Sequence, residues 1–462
     1  MRLGVVIGLI SFFSILTGPL AAQPIGGKWT LQDCIDYAID HNIQIQRRAL
    51  TTEMRENALK QAKLSRIPSF NIGSNYSYSS GRVLDETTYN FTNNSVNFLG
   101  FNAGGSMSLF SGLQKANLVK QSKYQLLASL EDLERAKKDI SLNIALAYLQ
   151  ILLDRELLEV AQRQLEVTQE QIGRTRTLVE AGSLPRGNLL EVEAQAATEA
   201  TTVVSRRNAL DLAYLSLAQL LDLDSLEGFE IVIPEIEAPD SMYQLPSVGE
   251  VFSDALNVMP GIRGAGYRLK SSEMALKVAR GAKSPRVSLN GSFNTSFSDN
   301  RKKILGLDPG GGLLYEPYPF GEQLADNRNW MVGLGLTIPI FNGWQVQQQV
   351  NNARLGIQDA RLQLESEKQA LFKEIQQAWA DARAAKNRYL AMKKSVSSLE
   401  ESFRYTSQKF NVGLVTSIDY NTAKAQLAKA QSDLLAAKYE FVFKINVLNF
   451  YRGKPFVQNI KF

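Results

Sequence analysis

Four segments of the chain carry no charged side chain and alternate apolar with small polar residues: 69–79, 99–109, 287–297 and 330–340. In the first, Phe70, Ile72, Tyr76 and Tyr78 alternate with Asn71, Gly73, Asn75 and Ser77. In the second, Leu99, Phe101, Ala103, Met107 and Leu109 alternate with Gly100, Asn102, Gly104, Ser106 and Ser108. The third sets Val287, Leu289, Phe293 and Phe297 against Ser288, Asn290, Ser292, Asn294 and Ser296; the fourth runs from Trp330 through Val332, Leu334, Leu336 and Ile338 to Ile340. A period of two marks a strand with one apolar face. Each segment has 11 residues, matching the ~9–11 of a tilted strand that crosses a bilayer. A soluble sandwich would place Lys, Glu or Thr on its wet face. Here that face is Ser, Asn and Gly, as in a hydrated lumen. Aromatic residues sit where a membrane girdle belongs: Phe70, Phe110, Phe341 and Trp344 at one end, Tyr78, Phe297 and Trp330 at the other.

Four strands cannot close a barrel. Left open in hydrocarbon, two edges would expose roughly ten unpaired backbone groups at several kcal/mol each. That exceeds the ~5–15 kcal/mol stability of a typical domain. The edges must therefore be paired between chains. Eight strands from a dimer would leave little bore, so three or four copies are favoured.

The rest of the chain reads as helix. Residues 30–66 are periodic and end before Pro68; residues 246–283 repeat the pattern before Pro285, with a break at Pro260. No proline falls between Pro68 and Pro185 or between Pro339 and Pro455. Helices over 113–181 and 344–412 would each run ~100 Å at about 1.5 Å per residue. Shorter helices follow at 186–221 and 417–452. Helices this long need antiparallel partners along their length. Both ends of each hairpin join helices, and the hairpin loops (80–98 and 298–329) lie opposite, so the natural assembly is a tunnel below a barrel.

The chain also contains itself twice. Glu56–Lys63 reappears as Glu273–Arg280 at an offset of 217, and Phe110–Gln114 as Phe341–Gln345 at an offset of 231. The second offset also relates Thr175 to Thr406, Gly182 to Gly413 and Gln195 to Gln426. The reading is a first repeat at 23–221, a linker at 222–245, a second repeat at 246–453 and a tail at 454–462. Phe229–Pro234 in the linker reads as a short edge strand.

Residues 1–22 read as an export signal: Arg2, an uncharged apolar run from Leu3 to Leu16, and small residues at Ala21-Ala22. The run is shorter than the ~20 residues of a membrane-spanning helix. No later stretch is long and apolar enough to span, which leaves a secreted, periplasmic or outer-membrane protein. Cys34 is the one cysteine and His41 the one histidine. No intrachain disulfide, Cys/His metal site or hydrolase triad can be assembled, and no enzyme or cofactor constellation appears. A net charge of +5 makes no case for nucleic acid. Gly310–Gly312 lacks the Lys-Ser/Thr of a phosphate loop. Asp33, Asp36 and Asp40 read as a solvated helix face, and Cys34 as a buried small residue.

Several motifs resemble the TolC family of outer-membrane efflux proteins: Trp29–Ala38, Leu109–Gly112, Ile340–Gly343, Phe410–Gln426 and its echo Val179–Leu190. The resemblance covers about residues 29–453. It implies an α/β membrane-spanning fold: a homotrimer with a twelve-stranded outer-membrane β-barrel, four strands per chain, continued by a long periplasmic α-helical barrel. It implies a passive exit duct in the outer membrane of a Gram-negative bacterium, docked to a periplasmic adaptor (membrane fusion) protein and an inner-membrane RND or ABC transporter. The alternative is a stand-alone diffusion porin. The resemblance places adaptor-contact tips at Gly182, Ser183 and Leu184 and at Gly413, Leu414 and Val415. It places a periplasmic gate at Asp419, with Asn188 in the equivalent position of the first half. Val415 stands where some members carry a latching arginine, a role left to Arg186 or Arg174.

Overall fold

The computed structural model describes residues 27–84, 89–236, 244–454 and 460–461. The export signal at 1–22, residues 237–243 of the linker and most of the tail lie outside the described residues. The first half runs β1 (Lys28–Trp29), α1 (Leu31–His41), α2 (Ile43–Leu64), β2 (Ser69–Leu84), β3 (Phe91–Ser111), α3 (Gln114–Glu180) and α4 (Arg186–Leu220). After β4 (Glu230–Ile231) and β5 (Glu235–Ile236) come α5 (Val248–Val258), α6 (Pro260–Gly281) and β6 (Arg286–Ser298). Next are β7 (Lys302–Leu307), β8 (Leu313–Pro317), α7 (Phe320–Asp326) and β9 (Asn329–Thr337). Then follow α8 (Gln345–Asn411), α9 (Ser417–Tyr451) and β10 (Ile460–Lys461).

The helices come in pairs of equal length. α1 and α5 have 11 residues each, α2 and α6 have 22, α3 and α8 have 67, α4 and α9 have 35. The long helices fall within a residue of the sequence expectation. The span 30–66 does not form one helix. Asn42 takes an extended backbone, closes α1 through its N–H to Ala38 O, and opens α2 by accepting the N–H groups of Gln44 and Ile45. A short amide side chain competes well with the helical ladder in this way. In the second half Met259 and Pro260 make the same break.

α3 packs on α4 and α8 on α9 as antiparallel pairs. Four helices lie side by side in a row, α2 on α3, α3 on α6, α6 on α8, and α9 also touches α3. A core at the level of α1 gathers Leu31, Cys34 and Ala38 with Ile144, Tyr148, Leu217 and Val442. It is closed by the parallel pair β1–β4, which replaces the longer strand expected at 229–234. Tyr148 Oη donates to Val232 O at 2.5 Å.

The four uncharged segments form one antiparallel sheet in the order β2-β3-β6-β9. Ile72 faces Ala103, Ala103 faces Phe293, and Phe293 faces Trp330. The apolar sets therefore share one face and the Ser/Asn/Gly sets the other, as the alternation requires. The strand bounds differ from expectation. β2 continues to Leu84 and β3 begins at Phe91, inside the span 80–98 read as a loop. β9 ends at Thr337, short of Ile340, because Pro339 has no N–H for the ladder. The span 299–329 is not a bare loop: it folds into β7, β8 and α7.

Candidate functional site

The residues singled out from the sequence fall in two regions: the sheet and the two helix–turn–helix tips. On the sheet, Phe70 is 81% exposed, Ile72 89%, Leu334 71% and Trp330 76% in the single chain. So broad an exposed apolar face marks a surface meant for something other than water. The opposite face is wet in character. A Cβ at Gly73 would lie 3.0 Å from Asn102 Oδ1, so the amide of one strand lies flat over the glycine of the next. The edges β2 and β9 have no partner strand among the described residues. Of the aromatic residues assigned to girdles, Tyr78, Trp330, Phe110, Phe341 and Trp344 are all exposed. Tyr78, Trp330 and Phe110 lie on strands, Phe110 just past a bulge near the end of β3. Phe341 and Trp344 lie in the connection to α8, where Trp344 holds φ +66°.

At the tips, Gly182 has φ +73° and Gly413 φ +77°, the left-handed region that favours glycine at a helix end. Ser183 N–H reaches back to Leu178 O at 2.8 Å, and Leu414 N–H to Lys409 O at 2.9 Å. Leu414 is 73% exposed; Leu184 and Val415 are half-buried. Exposed Val412 and Ile418 extend the apolar surface of the second tip, a feature the sequence reading missed.

The turns differ in how the next helix starts. Thr416 and Asp419 form a capping box. Thr416 Oγ1 accepts Asp419 N–H at 3.2 Å, while Asp419 Oδ2 accepts Thr416 Oγ1–H at 2.7 Å and Thr416 N–H at 3.1 Å. These bonds, the hydroxyl's first, hold the Asp419 carboxyl below the usual range although it is exposed. In the first half Pro185 and Asn188 replace the pair, and no side chain caps α4. Arg186 is exposed in its first turn. Arg174 lies 3.9 Å from Glu170 on its own helix. Ser417 Oγ donates to Glu191 Oε2 at 2.8 Å, tying the two tips together.

Behind the tips lies a buried polar seam that sequence reasoning missed. Lys424 on α9 is 5% exposed. Its ammonium donates to Thr168 Oγ1 and, at 3.3 Å, to Gln164 O on α3; it pairs with Glu199 on α4 at 3.8 Å. Thr168 Oγ1 also bonds Glu199, and Gln195 Nε2 donates to Glu199 Oε1 at 2.9 Å. Burial pushes the Lys424 pKa down. The available signal was Gln164, Thr168, Gln171 and Thr175, which recur at helical spacing on one face of α3.

Other candidates fall to structural roles. Cys34 is fully buried and burial pushes its thiol up to about 12. Asp33 accepts the Thr30 N–H at the start of α1. Asp308 accepts the N–H groups of Gly310 and Gly312 at 2.8 and 2.7 Å, so a carboxylate already fills the glycine turn. Among the described residues no helix is long and apolar enough to cross a membrane.

A family model described as outer membrane efflux protein matches residues 34–222 and 251–450. The chain is 22% identical over 336 residues to the outer membrane efflux protein BepC of Brucella suis, covering 72% of this chain and 67% of that one. It is 23% identical over 421 residues to the outer membrane protein TolC of Escherichia coli, covering 88% and 78%. The fold superposes on that of the outer membrane protein VceC of Vibrio cholerae with a TM-score of 0.72 at 17% identity, covering 92% and 96%. The uncharged sheet, the long helix pairs and the two glycine turns fall in the residues that the family model matches. The chain belongs to the outer membrane efflux protein family.

Proposed function

We propose that three copies of this chain form the outer-membrane duct of a tripartite efflux pump or type I secretion system. Substrate moves through it passively, driven by an inner-membrane transporter. The observation that carries this reading is the amphipathic sheet with two bare edges. The contact row α2, α3, α6, α8 and the strand order β2-β3-β6-β9 each contain a central junction, α3 on α6 and β3 on β6. The duplication inferred from the paired elements makes α8 and β9 the counterparts of α3 and β3, and α2 and β2 the counterparts of α6 and β6. The central junction can therefore be repeated head to tail between copies. A heterologous interface forms a ring where its rotation closes, and in this reading three copies close one of twelve strands around the Ser/Asn/Gly face. The girdle residues then border the lipid. The tips, with Gly182, Ser183, Leu184, Gly413, Leu414 and Val415, offer an adaptor protein two projecting turns, the second bearing exposed Val412, Leu414 and Ile418, which a stand-alone porin would not need.

The register of the closure follows from the offsets. Gly105 faces Gly291; their counterparts are Leu336 and Ser74. Cysteines at Leu336 and Ser74 are expected to crosslink on oxidation into bands of two and three subunits and nothing longer. Absence of crosslinks, or an open-ended ladder, overturns the ring.

Asp419 and its copies, with Asn188 and Arg186 nearby, line the periplasmic entrance in this reading. A carboxylate ring favours cations. Because the cap keeps the Asp419 carboxyl below its usual range, it is ionised at neutral pH. Its share of stability is present above the unfolded value of about 3.9 and is lost as pH falls through the lower folded value. Asp419→Ala is expected to reduce cation selectivity at low salt, where screening is weak. Unchanged reversal potentials would reject the ring of charge.

A further inference from the structure

The connection between β6 and β9 is a built structure rooted on the apolar face of the sheet. The rings of Phe320 on α7 and Phe297 on β6 meet edge-on, centroids 5.1 Å apart. Thr295 Oγ1 donates to Leu324 O at 2.7 Å. Thr295 and Phe297 lie two and four residues beyond Phe293, and so on the same side of the sheet as Ile72 and Trp330. Fully buried Gln323 pins the helix: its Oε1 accepts Ser298 N–H at 3.0 Å, and its Nε2 donates to Ser298 O and Tyr318 O at 2.9 Å. Lys303 at the base of β7 pairs with Glu322 of α7 at 2.7 Å.

From this root rises the β7–β8 hairpin. Its turn is fixed by Asp308, yet Ile304 is 50% exposed, Leu305 59%, Leu307 68%, Leu313 49% and Leu314 47%. Both strands are apolar between Lys303 and Glu316 and carry no core of their own. A two-stranded hairpin is marginal alone in water, and this one presents its apolar side chains uncovered. We propose that the β7–β8 hairpin, held by α7 on the outer side of the barrel wall, lies against the lipid of the outer leaflet and extends the apolar face of the sheet beyond its strands. The occupant is lipid because the hairpin is anchored on the face that the proposed barrel turns to the membrane, so the inference rests on that reading.

The test is an environment-sensitive fluorophore on cysteines placed singly at Leu307, Ile72 and Asn102 of the full-length protein. The labelled protein is reconstituted in phosphatidylethanolamine/phosphatidylglycerol vesicles; native Cys34 is buried. Doxyl-labelled phospholipid is expected to quench positions 307 and 72 to a comparable extent, and aqueous iodide only position 102. Lipid quenching at 72 with iodide quenching at 307 overturns the hairpin contact and leaves the barrel standing. Protection of 307 from both quenchers also overturns it, in favour of a protein cover. Loss of lipid quenching at 72 overturns the barrel reading and the hairpin contact with it.

Discussion

Glu199→Ala is expected to destabilise the helical region by about 3–5 kcal/mol, because it leaves the Lys424 ammonium buried without its counter-charge. The neutral partners, Thr168 Oγ1 and Gln164 O, cannot replace a carboxylate in a site so poorly solvated. The double variant Glu199→Leu/Lys424→Met removes both charges and is expected to fall near the parent or above it. Thermal unfolding in detergent checks both, and a single variant as stable as the parent rejects the assigned pair. The pH dependence carries a defined sign. Burial lowers the Lys424 pKa in the folded state, so the unfolded chain binds more protons over the interval up to the ordinary lysine value of about 10.4. The contribution of this group to stability therefore rises as pH climbs through that interval. In Lys424→Met the rise is expected to disappear.

Gly112→Val is expected to abolish folding of the chain, and the proposed trimer with it. Gly112 sits at φ +61°, which an L-residue adopts at a cost of roughly 1–2 kcal/mol. The larger effect is steric. A Cβ at Gly112 would lie inside the contact distance of Gly281 O and 2.6 Å from Ser284 Cβ, and a Cβ at Gly281 would lie 2.5 Å from Gly112 O. The two backbones touch where β3 turns into α3 beside the end of α6, so neither can give way without moving a helix. Gly343 in the second half has the same φ of +61° but open space around it within one chain. Gly343→Ala is expected to cost far less in the folding of the chain, and any further loss must come from a neighbouring copy. Thermal unfolding and the oligomeric state in detergent are the readouts. Parent-like unfolding of Gly112→Val would refute the close approach.

Much of this was readable from the sequence because the relevant signals are periodic. The absence of charge over 11-residue alternating stretches located all four sheet strands and both faces. Freedom from proline, with a glycine at each end, located the long helices. What escaped lacked such a signal. Ser79–Arg82 and Thr92–Ser95 are polar on both faces and offer no alternation to read, and so β2 and β3 looked shorter than they are. Asn42 broke a helix without proline or glycine. Nothing in the sequence singled out Lys424 and Glu199, because burial of a charge is decided by neighbours far apart in the chain. The two tips were legible down to their glycines, and the exchange of Thr416 and Asp419 for Pro185 and Asn188 was already visible in the letters. The missing cap became apparent only in the hydrogen bonds.

That missing cap has a mechanical consequence. A side-chain cap stabilises a helix start by typically about 1 kcal/mol, which is roughly a fivefold difference in how often the first turn lets go. In the proposed threefold assembly the six turns would then alternate between clasped and unclasped. Breathing at the mouth would begin at three evenly spaced points, giving the rim a built-in order of release.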